Sequence, residues 1–175
     1  MFFRISKPII ILVLISFSLF NAGCSKKYLI DEEQADSITS QLQTDMYSAS
    51  LVPEPNIRDK EFEKQDALKA VYFDYDKAIL TQEARRQLEK NALWLKNYDK
   101  YHVLIEGHSD ERGTIEYNLA LGQNRASIVR SYLVFLGVNA GRIGTISYGE
   151  EKPAVLGSSD DIWSKNRRAE VLFFK

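Results

Sequence analysis

The sequence predicts an α/β domain, a two-layer sandwich with a β-α-β-α-β-β mixed sheet and its helices on one face. Two observations carry this. Residues 70–75 (AVYFDY) and 102–106 (HVLIE) are short runs rich in aromatic and β-branched side chains, the composition of strands. Residues 81–98 and 118–136 instead repeat apolar side chains at helical spacing, and the two kinds of segment alternate. The chain of 175 residues is 45% apolar and 27% charged, an ordinary globular composition. Its formal charge of −1 gives no electrostatic reason to expect a nucleic-acid partner.

Each element of the domain has a local cause. In the first helix Ala84, Leu88, Ala92 and Leu95 share a face; Thr81 is placed to cap it, and Glu83 suits its positive end. Gly107 stops the second strand. In the second helix Leu121, Ile128, Val129, Tyr132 and Leu136 fall in register, and Gly137 ends it as a left-handed cap. Residues 143–148 and 169–174 (AEVLFF) read as the last two strands. A strand–helix–strand unit implies a right-handed crossover, which sets the first two strands parallel and side by side. Residues 148–168, with Gly149, Pro153 and Gly157, read as a long polar loop; Asn166, Arg167 and Arg168 start the last strand, their charges serving edge protection and loop pairing.

The N-terminal part divides in two. Arg4 and Lys7 precede an apolar run over residues 8–20, too short to span a bilayer, and Ala22, Gly23 and the chain's only cysteine, Cys24, follow. Residues 1–23 therefore read as an export signal. The segment resembles a bacterial lipoprotein signal, in which the cysteine corresponding to Cys24 receives lipid; the leucine usual three residues before it is Asn21 here. Ser25 rather than Asp follows the cysteine, which in that family permits transport to the outer membrane. Residues 25–66 hold five basic and ten acidic side chains, whereas 67–175 hold sixteen basic and fourteen acidic. Residues 24–66 read as a lipidated cysteine with a solvated tether, or as one whose helix near 31–46 packs on the domain; residues 67–175 form the domain.

Two polar clusters meet if the first two strands are parallel. The first strand ends in Phe73-Asp74-Tyr75-Asp76, and the second runs into Gly107-His108-Ser109-Asp110-Glu111-Arg112-Gly113-Thr114. Ligands of open α/β sheets favour the crevice beyond such strand ends. Arg125, two turns into the following helix, leans back toward it. Asp110 and Arg125 would offer an anionic and a cationic handle for a zwitterion, or else form a salt bridge that ties loop to helix.

The strings FDYD, GHSDERGTIEYNLALGQNRA, SYGEEKP and SKNRRAEV, in this order, resemble the OmpA-like peptidoglycan-binding domain from about Val71 to Lys175. The resemblance implies a ligand: the peptide stem of peptidoglycan, held through its meso-diaminopimelate. Asp110 and Arg125 match the two positions that clamp the amino-acid head of that residue. Phe73 and Asp74 match contacts of the first strand, Arg112, Gly113 and Thr114 the surrounding loop, and Leu121 an apolar contact. Gly122 stands where the family often has serine. Lipoproteins of this layout imply an outer-membrane, periplasm-facing location and partners of the Tol system, notably TolB. No cofactor is implied beyond the lipid on Cys24.

No catalytic pattern accompanies these residues. His102 and His108 lie near opposite ends of one strand and make no two-histidine metal face. His108 beside Asp110 has no nucleophile motif near it, and its expected role is a hydrogen bond that shapes the loop. Gly107 and Gly113 are not followed by the Gly-Lys-Ser/Thr of a phosphate loop. A non-catalytic wall tether is the favoured reading; a Tol interaction module and a wall hydrolase are its rivals.

Overall fold

The computed structural model describes Thr44 and residues 52–58 and 60–174. The export signal, Cys24 and the helix considered near 31–46, apart from Thr44, lie outside the described residues. Within them run β1 (Val71–Tyr72), α1 (Gln82–Asn97), β2 (His102–His108), α2 (Ile115–Phe135), β3 (Ile143–Gly149), α3 (Asp160–Asn166) and β4 (Arg168–Phe174). A single 3-10 turn, Ala140–Arg142, leads into β3.

The four strands make one mixed sheet in the order β1-β4-β2-β3. β2 and β3 are parallel, and β4 is antiparallel to both β1 and β2. The crossover rule placed the first two strands side by side. They do run in the same direction, but β4 lies between them. The reason is in the composition of β4. Ala169, Val171, Leu172, Phe173 and Phe174 are all buried, so the strand needs cover on both faces and takes a central place. β1, with two residues, sits at the edge, where short strands are tolerated. The expected strand over 70–75 thus stops at Tyr72, after which Phe73 N–H donates once more to the Arg167 carbonyl at 2.9 Å.

Helices α1 and α2 cover one face. Ala84, Leu88, Ala92 and Leu95 of α1 and Ala126, Val129 and Leu133 of α2 pack with Val103, Ile105, Val171 and Phe173 of the sheet. Thr81 caps α1 by accepting from Ala84 N–H at 3.1 Å. Gly137 (φ 92°) ends α2 in the left-handed region, with Gly137 N–H to Val134 O at 2.8 Å and Val138 N–H to Leu133 O at 3.0 Å. This pair of bonds is a Schellman closure. Helix α2 begins at Ile115, three residues before the start read from periodicity, because its first turn is exposed and carries no inward apolar residue. The polar loop contains the unforeseen helix α3.

Residues 52–58 and 60–66, part of the segment read as tether, lie along the domain. Glu54 accepts from Thr145 N–H and Oγ1, both at 2.9 Å. Glu63 pairs with Phe173 on the edge of β4 that β1 leaves open. Phe62 meets Phe174 edge-on at 5.2 Å.

Candidate functional site

Close approach of α2 to β2 sets the geometry. A Cβ built on Gly107 would lie 1.9 Å from the Gly122 carbonyl oxygen, and one on Gly122 would lie 2.3 Å from Ser147 Oγ. With Ser147 where it stands in this chain, glycine at both places lets the helix rest on the strand's backbone. Gly122 sits one turn before Arg125, and Gly107 three residues before Asp110. The contact therefore fixes both charged residues relative to each other.

Beyond the end of β2 the chain turns. Ser109 N–H donates to the Gly149 carbonyl at 2.8 Å. Asp110 follows, and its Oδ1 accepts from the backbone N–H of Arg112 at 3.2 Å, a local turn of the kind aspartate favours. Thr114 then caps α2, its hydroxyl oxygen accepting from Tyr117 N–H at 3.2 Å.

A pocket of about 150 Å³ opens here. Asp110, Arg112, Gly113, Leu121 and Arg125 line it, so five of the eight residues named from sequence come together. The other three stand behind or beside it. Phe73 is buried beneath Arg125, with the guanidinium carbon 5.2 Å from its ring centre. Asp74 contributes its carbonyl to Arg125 at 3.2 Å, while its carboxylate turns outward to Lys77 at 3.4 Å. Thr114 acts through the cap. Tyr75 and Asp76, from the strand-end cluster but not among those eight, complete the lining together with Tyr117 and Asn118, which the sequence reading missed. Tyr117 donates its hydroxyl to Asp76, itself held at φ 57°, and Asn118 donates to Glu150. Helical phase could have shown Asn118 and Tyr117, one turn or two before Leu121 and Arg125.

Arg125 is 0% exposed. Its Nε donates to the Lys77 carbonyl at 2.9 Å, Nη1 to His108 O at 2.8 Å and Nη2 to Asp74 O at 3.2 Å. All three acceptors are neutral, so the charge has no bonded carboxylate among the described residues. Burial pushes its pKa down to about 10, which leaves it charged at neutral pH. The simple Asp110–Arg125 salt bridge weighed from sequence is thus absent.

Asp110 pairs elsewhere. Arg112 donates from Nε to Oδ1 at 3.2 Å and from Nη2 to Oδ2 at 2.6 Å. Arg167 Nη1 donates to the same Oδ2 at 3.3 Å and holds the Phe73 carbonyl through Nε at 3.0 Å. Burial acts to raise the Asp110 pKa, but these hydrogen bonds outweigh it and the net direction is down. Arg167, read as edge protection and loop pairing, does pair with the loop, and the loop residue it holds is Asp110 of the site. His108 contributes its carbonyl to Arg125, whereas its ring, expected to hydrogen-bond, stacks on Tyr148 at 5.8 Å with Nε2 3.7 Å from Glu106 Oε2 and no hydrogen-bond partner among the described residues.

The OmpA family model matches residues 72–167, more than half of the chain. The chain belongs to the OmpA family. The matched span holds both strand ends, the loop and Arg125. A peptidoglycan-associated lipoprotein of Brucella melitensis biotype 1 is 50% identical over 99 residues, 57% of this chain and 59% of that relative. One from Haemophilus influenzae is 50% identical over 109 residues, 62% of this chain and 71% of that relative. The match thus spans about three fifths of the Brucella protein. Among solved structures, the peptidoglycan-associated lipoprotein of Burkholderia pseudomallei superimposes with TM-score 0.58 at 44% identity, covering 59% of this chain and 88% of that one. The C-terminal domain of Helicobacter pylori MotB shares the fold, with TM-score 0.57 at 24% identity over 61% of this chain and 84% of its own. The four-stranded mixed sheet with two covering helices is therefore the architecture of this OmpA-family domain.

Proposed function

We propose that the chain is a non-catalytic lipoprotein of the outer membrane whose domain holds peptidoglycan reversibly from the periplasmic side. Lipid on Cys24 is the anchor, residues 24–66 the connection, and the pocket beside Asp110 and Arg125 the wall-binding site. The relatives at 50% identity that bear the name peptidoglycan-associated lipoprotein support the wall as ligand.

One observation carries the choice of diaminopimelate: a buried carboxylate and a buried guanidinium, each 4% exposed or less, line one small pocket. The side chain of diaminopimelate ends in an ammonium and a carboxylate on one carbon. The carboxylate goes to Arg125, whose three carbonyl bonds leave two of its five N–H groups for a ligand. The ammonium goes to Asp110. Phe73, Asp74 and Thr114 shape the site from behind, and Gly113 and Leu121 complete its wall. A lysine stem has the ammonium but lacks that carboxylate, so the Arg125 donors would be buried unpaired, at a cost of about 1–3 kcal/mol.

The Tol proteins, TolB in particular, are the partners of this reading, with a role in envelope integrity and cell division. Tyr75 and Tyr117 line the same pocket and are 56% and 51% exposed, an aromatic rim on which a protein partner would overlap the wall.

Pull-down with purified sacculi tests the proposal. The full chain is retained on diaminopimelate sacculi, and Asp110→Ala and Arg125→Ala lower retention at least about tenfold. Retention of both variants at the wild-type level contradicts it. Binding to TolB with no affinity for sacculi would favour the interaction module.

A further inference from the structure

The Asp110 carboxylate is full. A carboxylate offers about four lone-pair sites. Four donors occupy them: Arg112 N–H and Nε on Oδ1, and Arg112 Nη2 and Arg167 Nη1 on Oδ2. An incoming ammonium needs an acceptor, so one donor has to leave first.

The four donors are not equally free to go. Arg167 is 14% exposed and is tied through Nε to the Phe73 carbonyl. The Arg112 N–H belongs to the turn itself. The Arg112 side chain is 31% exposed and supplies two of the four bonds. It also has somewhere to stay. Its guanidinium lies between two rings, 4.0 Å from the Tyr75 centre and 4.1 Å from the Trp163 centre. Trp163, on α3, is held in turn by its indole N–H, which donates to Glu111 Oε1 at 3.0 Å. Stacking of this kind is face-on and tolerates sliding, while the bidentate pair to Asp110 does not.

We propose that Arg112 is a displaceable occupant of the ammonium subsite. In the free protein its guanidinium stands where a ligand ammonium binds, and the ligand enters by taking its place on Asp110. Tyr75 and Trp163 retain the displaced guanidinium at the rim. This rests on the wall-binding reading above and adds to it that Arg112 opposes binding, as an internal competitor, rather than assisting it. Arg112 so lowers affinity for every stem that presents an ammonium, lysine stems included, and keeps the attachment reversible.

Titration calorimetry of the full chain with a soluble L-Ala-D-Glu-diaminopimelate stem peptide tests the sign. Arg112→Ala and Arg112→Gln bind tighter than wild type by roughly fivefold, the factor a partly exposed ion pair is worth. A lysine stem gains by a similar factor. In the wild type, the NMR signal of Arg112 Nε–H, bonded to Asp110 when free, shifts as peptide is added. Weaker or unchanged binding by both variants, with wild type still binding, overturns the inference and leaves the wall reading intact. Binding by the variants alone supports it. Failure of wild type and both variants to bind overturns both.

Discussion

Arg125 shows how one side chain serves structure and site together. Its three hydrogen bonds gather carbonyls from the turn after β1 and from the end of β2, two segments far apart in sequence. Replacement by lysine keeps the charge but loses the planar fork. Arg125→Lys is expected to destabilise the domain by about 1–3 kcal/mol, because buried carbonyls lose their donors. Urea denaturation followed by circular dichroism measures it. Asp110 behaves differently with pH. Its folded pKa lies below its ordinary value, so its contribution to stability is complete above about pH 4 and is lost as pH falls through the lower folded value. The difference in Tm between wild type and Asp110→Asn is accordingly constant from pH 7 to about pH 5 and shrinks below about pH 4. A difference that grew on acidification would contradict the assigned direction.

At the scale of elements, the site depends on a contact that contains no side chain. Helix α2 reaches β2 only because Gly107 and Gly122 face each other. A methyl group at Gly107 would collide with backbone, which cannot move aside as a side-chain tip can. Gly107→Ala is expected to cost about 3 kcal/mol or more and to weaken ligand binding, since it pushes Arg125 away from Asp110. Denaturation midpoints and peptide titration on the same variant check both effects. Periodicity made α1 and α2 legible, because their buried faces are apolar and repeat at fixed spacing, and runs of aromatic and β-branched side chains did the same for the four strands. It misplaced β1 beside β2, since local pattern says nothing about which strand fills a gap. It also missed α3, whose seven residues bury only Asn166. The site was partly legible. Asp110 and Arg125 were visible as charges near a strand end, but their actual partners were not. Arg167 lies 57 residues from Asp110 in sequence, and the acceptors of Arg125 are backbone carbonyls that have no signature.

At the scale of the whole molecule, residues 52–58 and 60–66 lie against the OmpA-family domain. Leu104, Leu172 and Phe174 are buried but stand outside the cluster under the helices. Phe62 meets Phe174, and Ile57 reaches the Gly144 position beside Leu104. A chain beginning at Ala67 is therefore expected to melt at a lower temperature than one beginning at Val52, because that apolar surface returns to water. Scanning calorimetry on the two fragments decides it, and equal melting would show these contacts to be energetically idle.

In the proposed function one pocket takes both ends of one amino-acid head, with Asp110 for the ammonium and Arg125 for the carboxylate. Parallel titration of the full chain with diaminopimelate and lysine stem peptides, repeated with Asp110→Asn, addresses that most directly. The diaminopimelate stem should bind at least about fivefold more tightly than the lysine stem, the lower end of the factor set by leaving buried donors unpaired, and Asp110→Asn should lose that binding. Equal affinity for the two stems, or an Asp110→Asn variant that binds like wild type, would contradict it.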